Sequence, residues 1–161
     1  MIDQFPDLLT QISAAESERS AALCSRLADT FEDDLLEHDG FPDAHLNFFL
    51  ALLSKKQYYD KPGVWNFILA VNNSRDALTS AQCERITTAF IDNFAAYQDK
   101  DLCFAVCDFV ARNLESFKAS DLLQQLKRLE LQKAADLRGY ADEGLYILGQ
   151  EIKRAARNAT N

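Results

Sequence analysis

The stretch that decides the fold is "YYDKPGVWNFILAV", residues 58–71. Its first four residues, "YYDK", recur later in the chain in nearly the same form. Thirty-nine residues further along, "YQDKDLCFAVCDFV" at residues 97–110 begins with almost the same tetrapeptide. The apolar positions that follow agree in spacing even where the residues differ, so that Trp65 falls opposite Phe104. A spacing of about forty residues lies in the range of helical repeats.

Apolar residues recur with helical spacing on both sides of this echo, and no segment has the pattern of a strand. We predict an all-α protein with a single domain, residues 1–161, in which three helix-pair units lie between N- and C-terminal capping helices. The units are predicted at 20–57, 58–96 and 97–136. The helices are predicted near residues 3–13, 15–37, 43–57, 62–73, 80–97, 101–113, 120–133 and 135–157.

The two tetrapeptides are expected to form equivalent corners between units. In each, the tyrosine ring is expected to pack over the preceding helix, and Asp60 or Asp99 to cap the helix that follows. Ser80 and Ser120 stand just before apolar helical stripes and are the expected N-caps of those helices.

In period and apolar spacing, carried by "YYDK…VWNFILAV" and "YQDK…CFAVCDFV", the chain resembles α-solenoids of the HEAT or armadillo type over residues 20–136. The resemblance implies that helical hairpins stack as a short right-handed solenoid with an extended face for binding other proteins. An irregular helical bundle is the alternative, because it would produce much of the same pattern.

The charge of the chain is strongly acidic and unevenly distributed. The formal net charge is −8 at pH 7, which argues against a nucleic-acid partner, since proteins bind nucleic acid by neutralising phosphates with Lys and Arg. Residues 1–44 contain eleven acidic residues against two basic ones, Arg19 and Arg26. Acid concentrated at one end suits a basic protein partner.

The sequence gives no sign of secretion or of a membrane span. The opening "MIDQFPDLLTQ" has an acidic residue where a secretory signal is positively charged, and no apolar run approaches the roughly eighteen residues that cross a bilayer. The cysteines lie in apolar helical segments without the spacing of a disulfide framework. We therefore expect a cytoplasmic protein with reduced, buried cysteines: Cys24, Cys83, Cys103 and Cys107.

The densest polar segment is "FEDDLLEHDGFPDAH", residues 31–45. On a helix, Asp34 and His38 share a face, and with His45 across the following turn they are a possible set of metal ligands. Carboxylate-rich helix faces are more often solvated or partner-facing, so we predict no metal and no other cofactor. Carboxylates at a helix C-terminus are unfavourable because they lie at the negative pole of the helix dipole. We therefore expect these carboxylates to interact with something outside the chain.

No catalytic signature is evident. Cys103 and Cys107 are four residues apart, whereas a redox pair is usually CxxC, and no nucleophile elbow or phosphate-binding loop occurs. The best-supported function is a non-catalytic protein-binding module, most concretely an acidic bacterial immunity or inhibitor protein that masks a basic toxin or effector. The predicted partner contacts are Glu32, Asp33, Asp34, Glu37, Asp39, Asp43, Tyr58 and Tyr59.

Three alternatives stay open. An adaptor or assembly chaperone would have the same general composition. A metal-dependent helical hydrolase would use Asp34, His38 and His45. In a homo-oligomer, the acidic N-terminal end of one copy would meet the basic C-terminal end of the next.

Overall fold

The computed structural model describes residues 4–113, 149, 150, 153, 154 and 157, and these contain helices and no strand. The all-α prediction is therefore confirmed for this part of the chain. The chain divides into two compact units, Met1–Gln82 and Cys83–Asn161. The boundary between them falls inside the predicted helix pair 58–96. The predicted helix 120–133 with its cap Ser120, and most of the predicted helix 135–157, lie outside the described residues.

Seven α-helices follow one another in the described part of the chain. They are α1 (Phe5–Ala14), α2 (Ser17–Leu36), α3 (Asp43–Ser54), α4 (Lys56–Tyr59), α5 (Trp65–Asn73), α6 (Ser80–Asn93) and α7 (Lys100–Arg112). Short 3-10 turns follow α5 and α6, at Arg75–Ala77 and Phe94–Ala96.

Two predicted helix boundaries are wrong for local reasons. The predicted helix 43–57 divides at Lys55, where the backbone is extended with φ −113° and ψ 124°. The helix predicted from residue 62 begins only at Trp65, because Gly63 has a φ of +90°. That backbone conformation suits glycine and is incompatible with a continuous right-handed helix.

The cap of α6 is Thr79 rather than the predicted Ser80. The hydroxyl oxygen of Thr79 accepts a hydrogen bond from the backbone N–H of Gln82 at 3.2 Å. The side-chain oxygen of Gln82 in turn accepts from the backbone N–H of Thr79 at 3.0 Å. This reciprocal pair is a capping box, which satisfies two backbone donors at the start of the helix.

The two tetrapeptides of the echo behave differently. Asp99 caps α7 as predicted, since its carboxylate accepts from the backbone N–H groups of Asp101 at 2.8 Å and Leu102 at 3.2 Å. Asp60 does not cap the next helix; it lies at the end of α4 and accepts a hydrogen bond from Lys56, one turn earlier. The predicted cap is therefore confirmed at the second corner and wrong at the first.

In the first unit, α5 packs along α2 and runs in the same direction. Just before α5, Gly63 approaches α2 so closely that a Cβ atom there would lie 2.7 Å from the Cα of Ala21. At the end of α5, the amide of Asn73 donates a hydrogen bond to the carboxylate of Glu32 at 2.9 Å. The start of α5 therefore lies against the first part of α2, and the end of α5 lies against the last part of α2.

Hydrogen bonds across the first unit join positions separated by a nearly constant interval. Four of them span 41, 41, 42 and 46 residues. The joined groups are Asn73 with Glu32, Gln82 with the Phe41 carbonyl, Ser20 with the Pro62 carbonyl, and Lys61 with the Ala15 carbonyl. These intervals are two to seven residues longer than the 39-residue spacing of the sequence echo.

Aromatic rings from four helices form the core of the first unit. The ring of Phe5 stacks on that of Phe48 with centroids 4.6 Å apart, and Phe67 meets both Phe48 at 5.6 Å and Phe31 at 5.8 Å. His45 of α3 lies against this cluster, with ring centroids 4.9 Å from Phe5 and 5.3 Å from Phe31. The core therefore fixes the position of one histidine.

In the second unit, α6 and α7 contribute buried apolar side chains. Phe90 and Phe109 are fully buried, and their rings meet edge to face at 5.5 Å. Tyr97, from the second tetrapeptide, is also fully buried. All four cysteines of the chain are free and buried, which confirms their predicted placement in the core.

Candidate functional site

A buried histidine and a carboxylate meet where α2 and α3 face each other. His45, with no exposed surface, places its Nε2 2.7 Å from Oδ2 of Asp34, whose side chain is 16 % exposed. Burial lowers the pKa of His45 below its ordinary value, although the hydrogen bond and the negative charge of Asp34 oppose that shift. The ring is therefore neutral near pH 7, and its Nε2–H donates to the carboxylate.

The second histidine lies one turn beyond Asp34 at the end of α2. His38 is exposed, and its Nδ1 is 2.7 Å from the backbone oxygen of Asp34. Because a carbonyl oxygen only accepts hydrogen bonds, Nδ1 must carry the proton. In a neutral ring, Nε2 then holds a free electron pair.

The structure thus brings together Asp34, His38 and His45, the possible ligand set for which the sequence analysis predicts no metal. One potential ligand atom from each of Asp34, His38 and His45 lies within 4.8 Å of the others. The rings of the two histidines are 5.2 Å apart at their centroids. The loop between the helices makes this approach possible, with Gly40 at a φ of +92°.

The other predicted acidic contacts form an exposed surface that we call the acidic face. Five of its members are predicted contacts: Glu32 and Asp33 of α2, Glu37 and Asp39 just after it, and Asp43 at the start of α3. Asp29 of α2, which was not predicted, joins them; Glu32 is half-buried and the others are exposed. Among the described residues, no lysine or arginine forms an ion pair with any of them. Asp34 does not belong to this face, because its carboxylate is turned to His45.

An exposed leucine lies within the acidic face. Leu36 is 69 % exposed, the highest exposure of any large apolar side chain described. It follows Asp29, Glu32 and Asp33 at helical intervals of seven, four and three residues, so it shares their side of α2. The sequence pattern alone does not predict this exposure, because adjacent apolar residues such as Phe48 and Phe49 of α3 are both buried.

The two predicted tyrosine contacts have a different environment. Tyr58 and Tyr59 are 8 % and 7 % exposed, so their rings pack inside the first unit. The neighbouring Phe48 and Phe49 are buried as well. We therefore leave both tyrosines out of the candidate binding surface.

A shallow groove of about 600 Å³ lies between the end of α1 and the first half of α2. Two exposed arginines, Arg19 and Arg26, contribute to its walls. None of the predicted site residues lines it, so the groove is a separate feature of the first unit.

The buried cysteines have the properties of core residues. Burial raises the pKa of the Cys107 thiol to about 12, and burial also raises the pKa of Cys24. Thiolates are the reactive form of cysteine, so neither side chain is activated as a nucleophile near neutral pH.

Comparison of the chain with protein-family models, with curated proteins and with solved structures gave no match. Within the described ranges, no helix is both long enough and apolar enough to cross a bilayer. Proposals for function therefore rest on the chemistry of the acidic face and of the Asp34–His38–His45 cluster.

Proposed function

We propose that this protein is a non-catalytic binding module that docks a basic protein partner on the acidic face. The observation that carries the proposal is Leu36, an apolar side chain left 69 % exposed among carboxylates that have no cationic partner in the described residues. An apolar contact surrounded by unpaired charge is the arrangement of a protein interface, with a desolvated centre and a polar rim.

The two kinds of side chain have separate roles in this proposal. The carboxylates attract a basic surface over several ångströms, which raises the rate of encounter and selects the sign of the partner's charge. Leu36 becomes buried on docking, and full burial of a leucine stabilises a complex by roughly 1.5–3 kcal/mol. Binding is therefore expected to weaken with salt without being abolished by it.

The most concrete form of this function is an inhibitor, such as an immunity protein, that masks a basic toxin or effector in the cytoplasm. Size, acidic charge and the absence of a catalytic signature in the sequence support this form. An adaptor or assembly chaperone would use the same surface chemistry. An activity assay of the partner, with and without this chain, separates the two.

We also infer that α2 and α5 are equivalent helices of consecutive repeats in a solenoid-like first unit. Their common direction supports this inference, as do the hydrogen bonds that span 41 to 46 residues. Stacked repeats place equivalent helices side by side and leave one extended face for binding. Leu69 of α5 is a second large apolar side chain that is exposed in the described part of the chain, at 41 %.

The test uses the tagged full chain to capture partners from lysate of its native host at low and at moderate salt. The bait variant is Asp33→Lys, Glu37→Lys, which reverses two charges of the acidic face. The matched control is Glu84→Lys, Asp92→Lys, which makes the same change in net charge at two exposed positions of α6.

The expected result is one stoichiometric basic partner that binds the wild-type and control chains and is lost from the acidic-face variant. Calorimetry with the purified partner should then show that Leu36→Ser also weakens binding. Equal affinity of the partner for wild type and the acidic-face variant would refute the assignment of this surface. Equal loss with both variants would mean that only net charge matters, which also contradicts it.

A further inference from the structure

We infer that Asp34, His38 and His45 form a binding site for a divalent transition-metal ion of the zinc class. Both histidines of the chain belong to this cluster, and the ligand atoms lie within 4.8 Å of one another. This inference is independent of the proposed protein partner, because it concerns side chains that are turned away from the acidic face or stand at its edge.

The spacing of the ligand atoms is close to what an ion requires. Ligands about 2.1 Å from a zinc ion lie about 3.4 Å apart in a tetrahedral arrangement. The ligand atoms of Asp34 and His45 are 2.7 Å apart and need to separate slightly, whereas the ligand atom of His38 lies within 4.8 Å of both. His38 is exposed at the end of α2, so its ring is accessible to an ion from solvent.

The hydrogen bond of His38 prepares its other nitrogen for coordination. Metal-bound histidines generally donate their second ring N–H to a carbonyl or carboxylate, which fixes the tautomer and the ring orientation. His38 already makes such a bond, from Nδ1 to the backbone oxygen of Asp34 at 2.7 Å. Its Nε2 is therefore the ring nitrogen with an electron pair available for a metal ion.

His45 is held in place by the core before any ion binds. Phe5 and Phe31 pack against its ring, and the side chain has no exposed surface. Its Nδ1 has no hydrogen-bond partner among the described residues. The ion would take the position of the proton between Nε2 and the Asp34 carboxylate, and the neutral ring would carry its proton on Nδ1.

The donor set selects the class of metal. Two imidazole nitrogens and one carboxylate oxygen suit zinc, nickel, cobalt or copper, whereas calcium and magnesium prefer oxygen ligands alone. Three protein ligands leave at least one coordination position for water or for an outside group. The carboxylates of Asp33, Glu37 and Asp39 stand close in sequence and favour the approach of a cation.

The test titrates Zn²⁺ into the reduced, chelator-treated full chain by calorimetry. NMR follows the ring nitrogens of the chain's two histidines during the same titration. The expected result is one ion per chain, shifts of both histidine rings, and a higher unfolding temperature with Zn²⁺. Absence of stoichiometric binding, or binding that leaves both rings unshifted, would overturn the inference.

The variants chosen avoid the buried ring, whose replacement would disturb the core. His38→Gln and Asp34→Asn are expected to weaken Zn²⁺ binding by at least about tenfold. Asp33→Asn, the matched control, removes the same charge from the adjacent exposed position and should change affinity less than about twofold. Circular dichroism verifies that each variant is folded.

Two outcomes of the variant series would contradict the site. If Asp33→Asn weakens binding as much as Asp34→Asn, the ion is attracted by the acidic face as a whole rather than coordinated. If His38→Gln and Asp34→Asn bind Zn²⁺ as tightly as wild type, the ion is held elsewhere, for instance by cysteine thiols.

Discussion

Gly63 is the position where a single added methyl group is expected to destabilise the first unit most. A Cβ atom there would lie 2.7 Å from Cα and 3.0 Å from the carbonyl oxygen of Ala21, and 3.2 Å from Cβ of Cys24. The two closest atoms belong to the backbone of α2 and cannot rotate away. Overpacking of this kind costs about 1–3 kcal/mol.

Gly40 provides the matched control for the same substitution. Its φ of +92° is close to the +90° of Gly63, but an added Cβ at residue 40 meets nothing within 4 Å. Both alanine variants share a backbone strain of about 1–3 kcal/mol and a small gain from the stiffer unfolded chain. The difference between them therefore isolates the contact with α2.

Urea unfolding followed by the fluorescence of Trp65 measures this difference. Trp65 is the only tryptophan of the chain and begins α5, so its emission reports on the first unit. We expect the Gly63→Ala midpoint to lie about 1–2 M below that of Gly40→Ala. Equal midpoints, or a lower midpoint for Gly40→Ala, would show that α5 does not depend on this close approach.

Three further predictions address other parts of the chain. Asp99→Ala is expected to lower the free energy of unfolding by about 1 kcal/mol in urea titrations, because it removes the cap of α7, whereas Asp60→Ala should have a smaller effect. For Cys107, the unfolded thiol loses its proton near pH 9.0 and the folded thiol holds it to about pH 12, so stability falls as pH rises through this window. Cys107→Ala should make that decline shallower by about 1.4 kcal/mol per pH unit, as measured by urea midpoints at pH 9 to 11. Asp33→Lys, Glu37→Lys is expected to raise the free energy of unfolding by about 1 kcal/mol, since lysine suits a helix C-terminus; lower stability would contradict this reasoning.

Helical periodicity was sufficient to predict the class of the fold, because apolar spacing reports directly on which side of a helix faces the core. Boundaries were less accurate where a single residue changes the backbone. The extended backbone at Lys55 divides one predicted helix, and Gly63 delays the start of another. Near Gly63 the backbone also makes a tertiary contact, the hydrogen bond from Ser20 to the Pro62 carbonyl at 3.1 Å, which apolar periodicity does not report.

The candidate site was also only partly predictable from the sequence. The spacing of Asp34 and His38 follows from one turn of a helix and was predictable. The approach of His45 depends on the loop through Gly40 and on the aromatic core, which the sequence pattern only suggested. The two tetrapeptides of the echo are nearly identical in sequence, yet Asp60 and Asp99 differ in role because only Asp99 stands directly before a helix.

The carboxylates at the end of α2 destabilise that helix, and no basic side chain in its last turn offsets this effect. No basic residue lies in the last turn of α2, and its C-cap is Glu37, so the carboxylates there face the negative pole of the helix. A cation outside the chain, as proposed above, would offset this unfavourable charge. In the two proposed roles, Asp33 and Glu37 would contact a basic partner, whereas Asp34 and His38 would hold a metal ion.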